Sequence, residues 1–150
     1  MASVSSSHLI LFIASLLIAA SVAGTFTQGV QRLSSALGDR SLDVAKDVRT
    51  DIEIISDPGS GVIYNSSGNE NVTLLVKNTG SLNLAADSDQ VDVLVDGQLQ
   101  TDVTMTIADG ETWMVGNVAQ LEIDTGTLNS GDHRVRVIVN GDEETMEFRT

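Results

Sequence analysis

Two histidines, His8 and His133, are the side chains best suited to moving protons near neutral pH. Neither sits in a catalytic pattern. His8 stands at the head of an apolar run. His133 opens the alternating stretch His133-Arg134-Val135-Arg136-Val137-Ile138-Val139, read as a strand whose polar face is solvated. Serines are plentiful, but no Gly-x-Ser-x-Gly elbow occurs, and no His is placed to serve one. There is no Gly-x-x-x-x-Gly-Lys phosphate loop and no HExxH zinc helix. Asp87, Asp89 and Asp92, in the run DSDQVD, could offer carboxylate oxygens to calcium. The run lacks the glycine and terminal glutamate of an EF-hand loop and reads first as a solvated acidic loop. Asn65-Ser66-Ser67 and Asn71-Val72-Thr73 match the glycosylation sequon, a match that eight asparagines among many Ser and Thr give once or twice by chance. The expectation is a protein that is not an enzyme and has no cofactor.

Composition narrows the partners. Acidic residues outnumber basic ones 21 to 8, for a formal charge of −13, with Asp favoured over Glu and Arg over Lys. Self-repulsion of this size is tolerable where salt screens it, which points to a salt-loving source. With no basic stripe to neutralise phosphates, nucleic-acid binding is excluded as an expectation. Cysteine is absent, so disulfides, thiolate metal sites and Cys nucleophiles are excluded, and stability must come from packing.

The elements that would position any site begin with a membrane anchor, residues 1–31, in which His8 is the only side chain able to carry charge near neutral pH. Residues 9–23 hold nine large apolar side chains. Each favours bilayer insertion by roughly 0.3–0.6 kcal/mol, so together they favour it by about 3–5 kcal/mol. As a helix this block reaches about 22 Å, short of the roughly 30 Å hydrocarbon layer, so the small and polar uncharged flanks must complete the span. A cleaved signal peptide is the competitor, since Ser21-Val22-Ala23 resembles a cleavage pattern, but no Lys or Arg precedes the apolar core. Ser15, Ala19 and Ala23 recur every four residues, a spacing that lets helices approach closely in lipid, and with Leu9 and Phe12 they form the expected anchor and self-association face.

Residues 32–50 read as an amphipathic stalk helix. Its stripe, which begins just ahead of it at Val30, continues through Leu33, Leu37, Val44 and Val48, with charges among the remaining positions and Gly38 as the place for a bend. That stripe packs either on its own domain or against copies or a partner. From residue 51 the period changes to two. Apolar alternation at 51–54, 62–64, 72–77, 91–95, 98–100, 103–107, 112–115, 118–123, 133–139 and 145–148 is punctuated by Asp96-Gly97, Asp109-Gly110 and Asn140-Gly141. About eight short strands over residues 51–150 predict an antiparallel, immunoglobulin-like β-sandwich, with Trp113 and Phe148 in its core. The fold class is α+β: one transmembrane helix, a stalk, then the sandwich.

The opening SVSSSHLILFIASLLIAASVAGT, running into a helical stalk and a compact β domain, resembles the FlaG/ArlG family of archaellum (archaeal flagellum) motor-associated proteins of salt-loving archaea. The resemblance implies a stator component anchored in the cytoplasmic membrane, with its β domain in the pseudoperiplasm. It implies action with the sister protein FlaF/ArlF to connect motor components to the S-layer, and homo-oligomers formed through the N-terminal helix. Archaellins share the layout but carry a basic residue and glycine ahead of the apolar helix for processing, where this chain has Ser5-Ser6-Ser7-His8. Residues 9–23 are therefore expected to be the uncleaved first half of a long assembly helix. The segments NVTLLVKNTGSLNL, VDVLVDG and SGDHRVRVIV also resemble archaeal adhesion-type sandwich modules, which keeps a minor pilin-like or surface adhesion subunit as the alternative. Arg32 and Arg40, taken alone under the positive-inside rule, would place the β domain in the cytoplasm, whereas the sequons suit the exterior.

Overall fold

A computed structural model describes residues 2–59, 61–64 and 70–150, with side-chain surroundings from residue 4 onward. The sequon at Asn65 lies outside the described residues. By their contacts the residues divide into two units, Met1–Asp43 and Val44–Thr150.

The first unit is helix over its described residues. Helix α1 runs Ala2–Arg49, 48 residues and about 72 Å at 1.5 Å per residue, and it continues through Gly38. Three of its hydroxyls bond to the helix's own backbone. Ser15 Oγ donates to the Leu11 carbonyl at 2.7 Å, Thr25 Oγ1 to Val22 at 3.0 Å and Thr27 Oγ1 to Ala23 at 2.9 Å. Polar groups bonded to their own backbone can lie in hydrocarbon at low cost, so the flanks of the apolar block can complete a span. The helix is long and apolar enough to cross a membrane.

The second unit is the sandwich. Strands β1 (Ile52–Ile54), β2 (Asn71–Asn78), β6 (Val118–Asp124) and β5 (Val103–Ile107) form one antiparallel sheet in the order β1-β2-β6-β5. Strands β4 (Gln98–Gln100), β3 (Val91–Val95), β7 (Asp132–Val139) and β8 (Asp142–Arg149) form the other, in the order β4-β3-β7-β8. This is the A-B-E-D and C′-C-F-G strand order of immunoglobulin-like domains. Alternation decides which side chains meet. Val72, Leu74 and Val76 of β2 are buried, as are Leu121 and Ile123 of β6, and they face Val93, Val135 and Val137 across one shared core. The Asp96-Gly97 and Asn140-Gly141 pairs have φ of 52° and 81°, and 47° and 83°, the two left-handed residues of tight hairpin turns that the sequence foretold.

Two predicted strands are not strands. Residues 62–64 contribute a single bridge, Tyr64 to Val72, and residues 112–115 a single bridge, Leu84 to Trp113. Trp113 is fully buried, and its indole N–H donates to the Asn117 carbonyl at 3.1 Å. That bond, with Asn117 N to Met114 O at 2.9 Å and Gly116 at φ +86°, curls the chain into a loop and leaves Met114 and Val115 exposed.

Candidate functional site

Along α1 the large apolar side chains have no cover. Leu9 and Phe12 are exposed, as are Val30, Leu33, Leu37, Val44 and Val48, the last at 80 %. Ser15, Ala19 and Ala23 are exposed as well. Sequence reasoning divided these residues into an anchor set and a stalk set. An eleven-residue spacing joins them: Ser15, Phe26, Leu37 and Val48 stand eleven apart, as do Ala19, Val30 and Ser41, and Val22, Leu33 and Val44. Eleven residues make almost exact whole turns of an α-helix, so these positions form one line along α1, a pattern that keeps paired helices nearly straight or slightly right-handed. Phe26, exposed at 72 %, was missed by the sequence reading and belongs to this line, whereas Leu9 and Leu42 fall off it.

Within the second unit, the last turn of α1 is tied into the sandwich. Thr50, buried at 5 % exposure, donates through its amide and its hydroxyl to the Lys46 carbonyl, both at 2.9 Å. Asn140, in the β7–β8 turn, donates through Nδ2 to Thr50 Oγ1 at 3.1 Å. The Arg49 carbonyl accepts from Ser81 N at 2.9 Å, and the Arg49 guanidinium donates to the Ser81 carbonyl at 3.1 Å. These bonds satisfy carbonyls that a helix end otherwise leaves unpaired. Asp142 Oδ2 accepts from Ile52 N at 2.8 Å, which stitches β1 to the start of β8. Gly80 is the close approach, because a Cβ there would stand 2.5 Å from the Arg49 carbonyl oxygen and 2.7 Å from Asp51 N. Asn78, fully buried, braces the next layer by donating to the Leu82 and Trp113 carbonyls at 2.9 and 3.0 Å and accepting from Gly80 N at 3.2 Å.

The family description "Archaeal-type flagellin" matches residues 2–148. The chain belongs to the archaeal-type flagellin family. It is similar to a protein named as flagella-related protein G in Methanocaldococcus jannaschii, 31 % identical over 141 residues that cover 92 % of this chain and 89 % of that one. It is 32 % identical over 137 residues to the protein of the same name in Methanococcus voltae, covering 89 % and 88 %. The match runs through α1 and both sheets, so the helix face and the junction lie inside the family's common extent.

The remaining sequence candidates of this flagellin-family chain have defined places. Asp87 precedes a short 3-10 helix, Ser88–Gln90, and its Oδ1 accepts from Asp89 N at 3.1 Å, while Asp92 starts the exposed side of β3. Among the described residues no three His, Asp or Glu side chains converge as metal ligands. Asn71 begins β2, half-buried. His133 is not on a solvated face. It shares the parity of Val135, Val137 and Val139, so it turns inward at the end of β7 with its side chain 10 % exposed and its ring 5.6 Å from that of Phe148. Arg134 and Arg136 take the outer side and pair with Glu147 at 3.5 Å and Glu143 at 3.3 Å.

Proposed function

We propose that this chain is a non-enzymatic structural subunit of the archaellum, anchored in the cytoplasmic membrane by α1, with its sandwich in the pseudoperiplasm. It acts as a stator element that, with FlaF/ArlF, connects motor components to the S-layer. The observation that carries this reading is the hydrogen-bonded seat of the last turn of α1 in the sandwich, where Thr50, Arg49, Asn140 and Gly80 join that turn to the β domain within the second unit. Membership of the archaeal-type flagellin family and the two relatives named flagella-related protein G support placement in the archaellum. The uncovered apolar line along α1 supports assembly with further helices, copies of the chain among them. A charge of −13 supports a salty working medium, because screening lowers the repulsion between acidic subunits.

The two-sheet sandwich behind an uncovered apolar helix also supports a second reading, a minor pilin-like or adhesion subunit. Affinity isolation of a C-terminally tagged chain from detergent-solubilised native membranes separates the two. Co-purification of archaellum motor components and FlaF/ArlF supports the stator reading. Recovery of pilus or adhesion subunits without them transfers the protein to the second.

A further inference from the structure

At the end of the sandwich opposite the junction, one side chain holds three segments together. Strand β7 leads from His133 to the Asn140 turn, so the two ends stand about 20–25 Å apart at roughly 3.4 Å per residue. His133 Nδ1 lies 2.7 Å from Asp96 Oδ2, in the β3–β4 turn, and Nε2 lies 2.7 Å from the carbonyl oxygen of Asn129, in the loop ahead of β7. The other Asp96 oxygen accepts from Arg134 N at 2.9 Å, and the Asn129 carbonyl also accepts from Thr150 Oγ1 at 2.7 Å. Both ring nitrogens therefore face atoms that only accept. A neutral imidazole has one N–H and would turn its lone pair toward one of those oxygens; the imidazolium alone donates to both.

We propose that His133 is a proton-held clasp, closed on both sides as the imidazolium and reduced to its Asp96 bond when the ring loses its proton, which loosens the Asn129 loop at this end of the sandwich. The charges around the ring favour the closed form. Asp96 faces it from the β3–β4 turn, Asp132 and Arg134 flank it on β7, and Glu147 of β8 lines the same open cavity, while the loop offers the neutral Asn129 carbonyl and β8 the ring of Phe148. The Asp96 hydrogen bond, then the Asn129 carbonyl, hold the His133 pKa above its ordinary 6.5 against the opposing effect of burial. The His133 hydrogen bond and the Arg134 amide hold the Asp96 carboxyl below its ordinary 3.8. The clasp is thus closed below the ordinary histidine value of 6.5 and opens only as pH rises through the raised value.

The test uses the full chain in lipid nanodiscs with 13C-labelled histidine. His8→Asn leaves one histidine signal and so assigns His133. The expected titration midpoint lies above 6.5 and moves back toward it in Asp96→Asn. Hydrogen-exchange protection of residues 126–134, corrected for the intrinsic pH dependence of exchange, falls severalfold across that midpoint in the natural chain and loses this step in His133→Gln. A midpoint at or below 6.5, or protection that does not follow it, overturns the proposal. If His133→Gln does not fold, the natural chain compared with Asp96→Asn decides alone.

Discussion

Asn140 donates its carboxamide N–H to Thr50 Oγ1 at 3.1 Å, across 90 residues of sequence, and so ties the residue that follows α1 to a turn of the sandwich. Replacing Asn140 by Gly keeps the left-handed turn but removes the bond. The expected loss is about 1 kcal/mol. Urea unfolding followed by the fluorescence of Trp113, the single tryptophan, measures it, and an unchanged midpoint would contradict the assigned role.

Gly80→Ala tests the closest contact of the same junction. Its Cβ meets the backbone of residues 49–51, at 2.5 and 2.7 Å, and backbone cannot swing aside as a flexible side chain can. We expect a destabilisation of about 1–3 kcal/mol by the same unfolding measurement. An Ala variant as stable as the natural chain would show that the helix end has room to shift.

The apolar line along α1 is predicted to serve assembly, not folding. Leu33 and Leu37 are both exposed by about 60 %, so Asp at both positions should leave the Trp113 unfolding midpoint within about 0.5 kcal/mol of the natural value. The same variant should lose self-association of the full chain in mild detergent, read by analytical ultracentrifugation. Association that survives both substitutions removes this face from the account.

Stability should form a plateau in pH with two different edges. Asp96, whose carboxyl is held low, contributes stability that is present above its ordinary value of 3.8 and lost as pH falls through its lowered native value. His133, whose pKa is raised, contributes stability that is present below 6.5 and lost as pH rises through its raised native value. Asp96→Asn should soften both edges together. Unfolding midpoints measured from acid to mildly alkaline pH check this, and an unchanged profile in the variant would contradict the pairing.

These predictions draw unevenly on what the sequence makes legible. The long helix and the sandwich follow from local rules: apolar positions at three- and four-residue spacing, a switch to period two after residue 50, and Asp-Gly and Asn-Gly pairs that demand tight turns. The 112–115 segment has strand composition but is not a strand, because burying the Trp113 ring and satisfying its N–H outweighs extension. His133 was legible in part. Its parity with Val135 and Val137 already turns it inward, but its partners Asp96 and Asn129 come from a distant turn and an irregular loop that no periodicity announces. The junction was not legible at all, since Thr50, Gly80 and Asn140 are three ordinary-looking residues until the two sheets bring them together. The eleven-residue line was available in the sequence and was hidden by dividing α1 into an anchor and a stalk.

The central claim, that this chain is a fixed structural part of the archaellum machine, is tested most directly by the swimming of a strain that lacks its gene. The account predicts cells that still synthesise filament subunits yet do not swim, with motility restored by the natural gene and not by one encoding Asp at positions 33 and 37. Normal swimming in the deletion strain would contradict it.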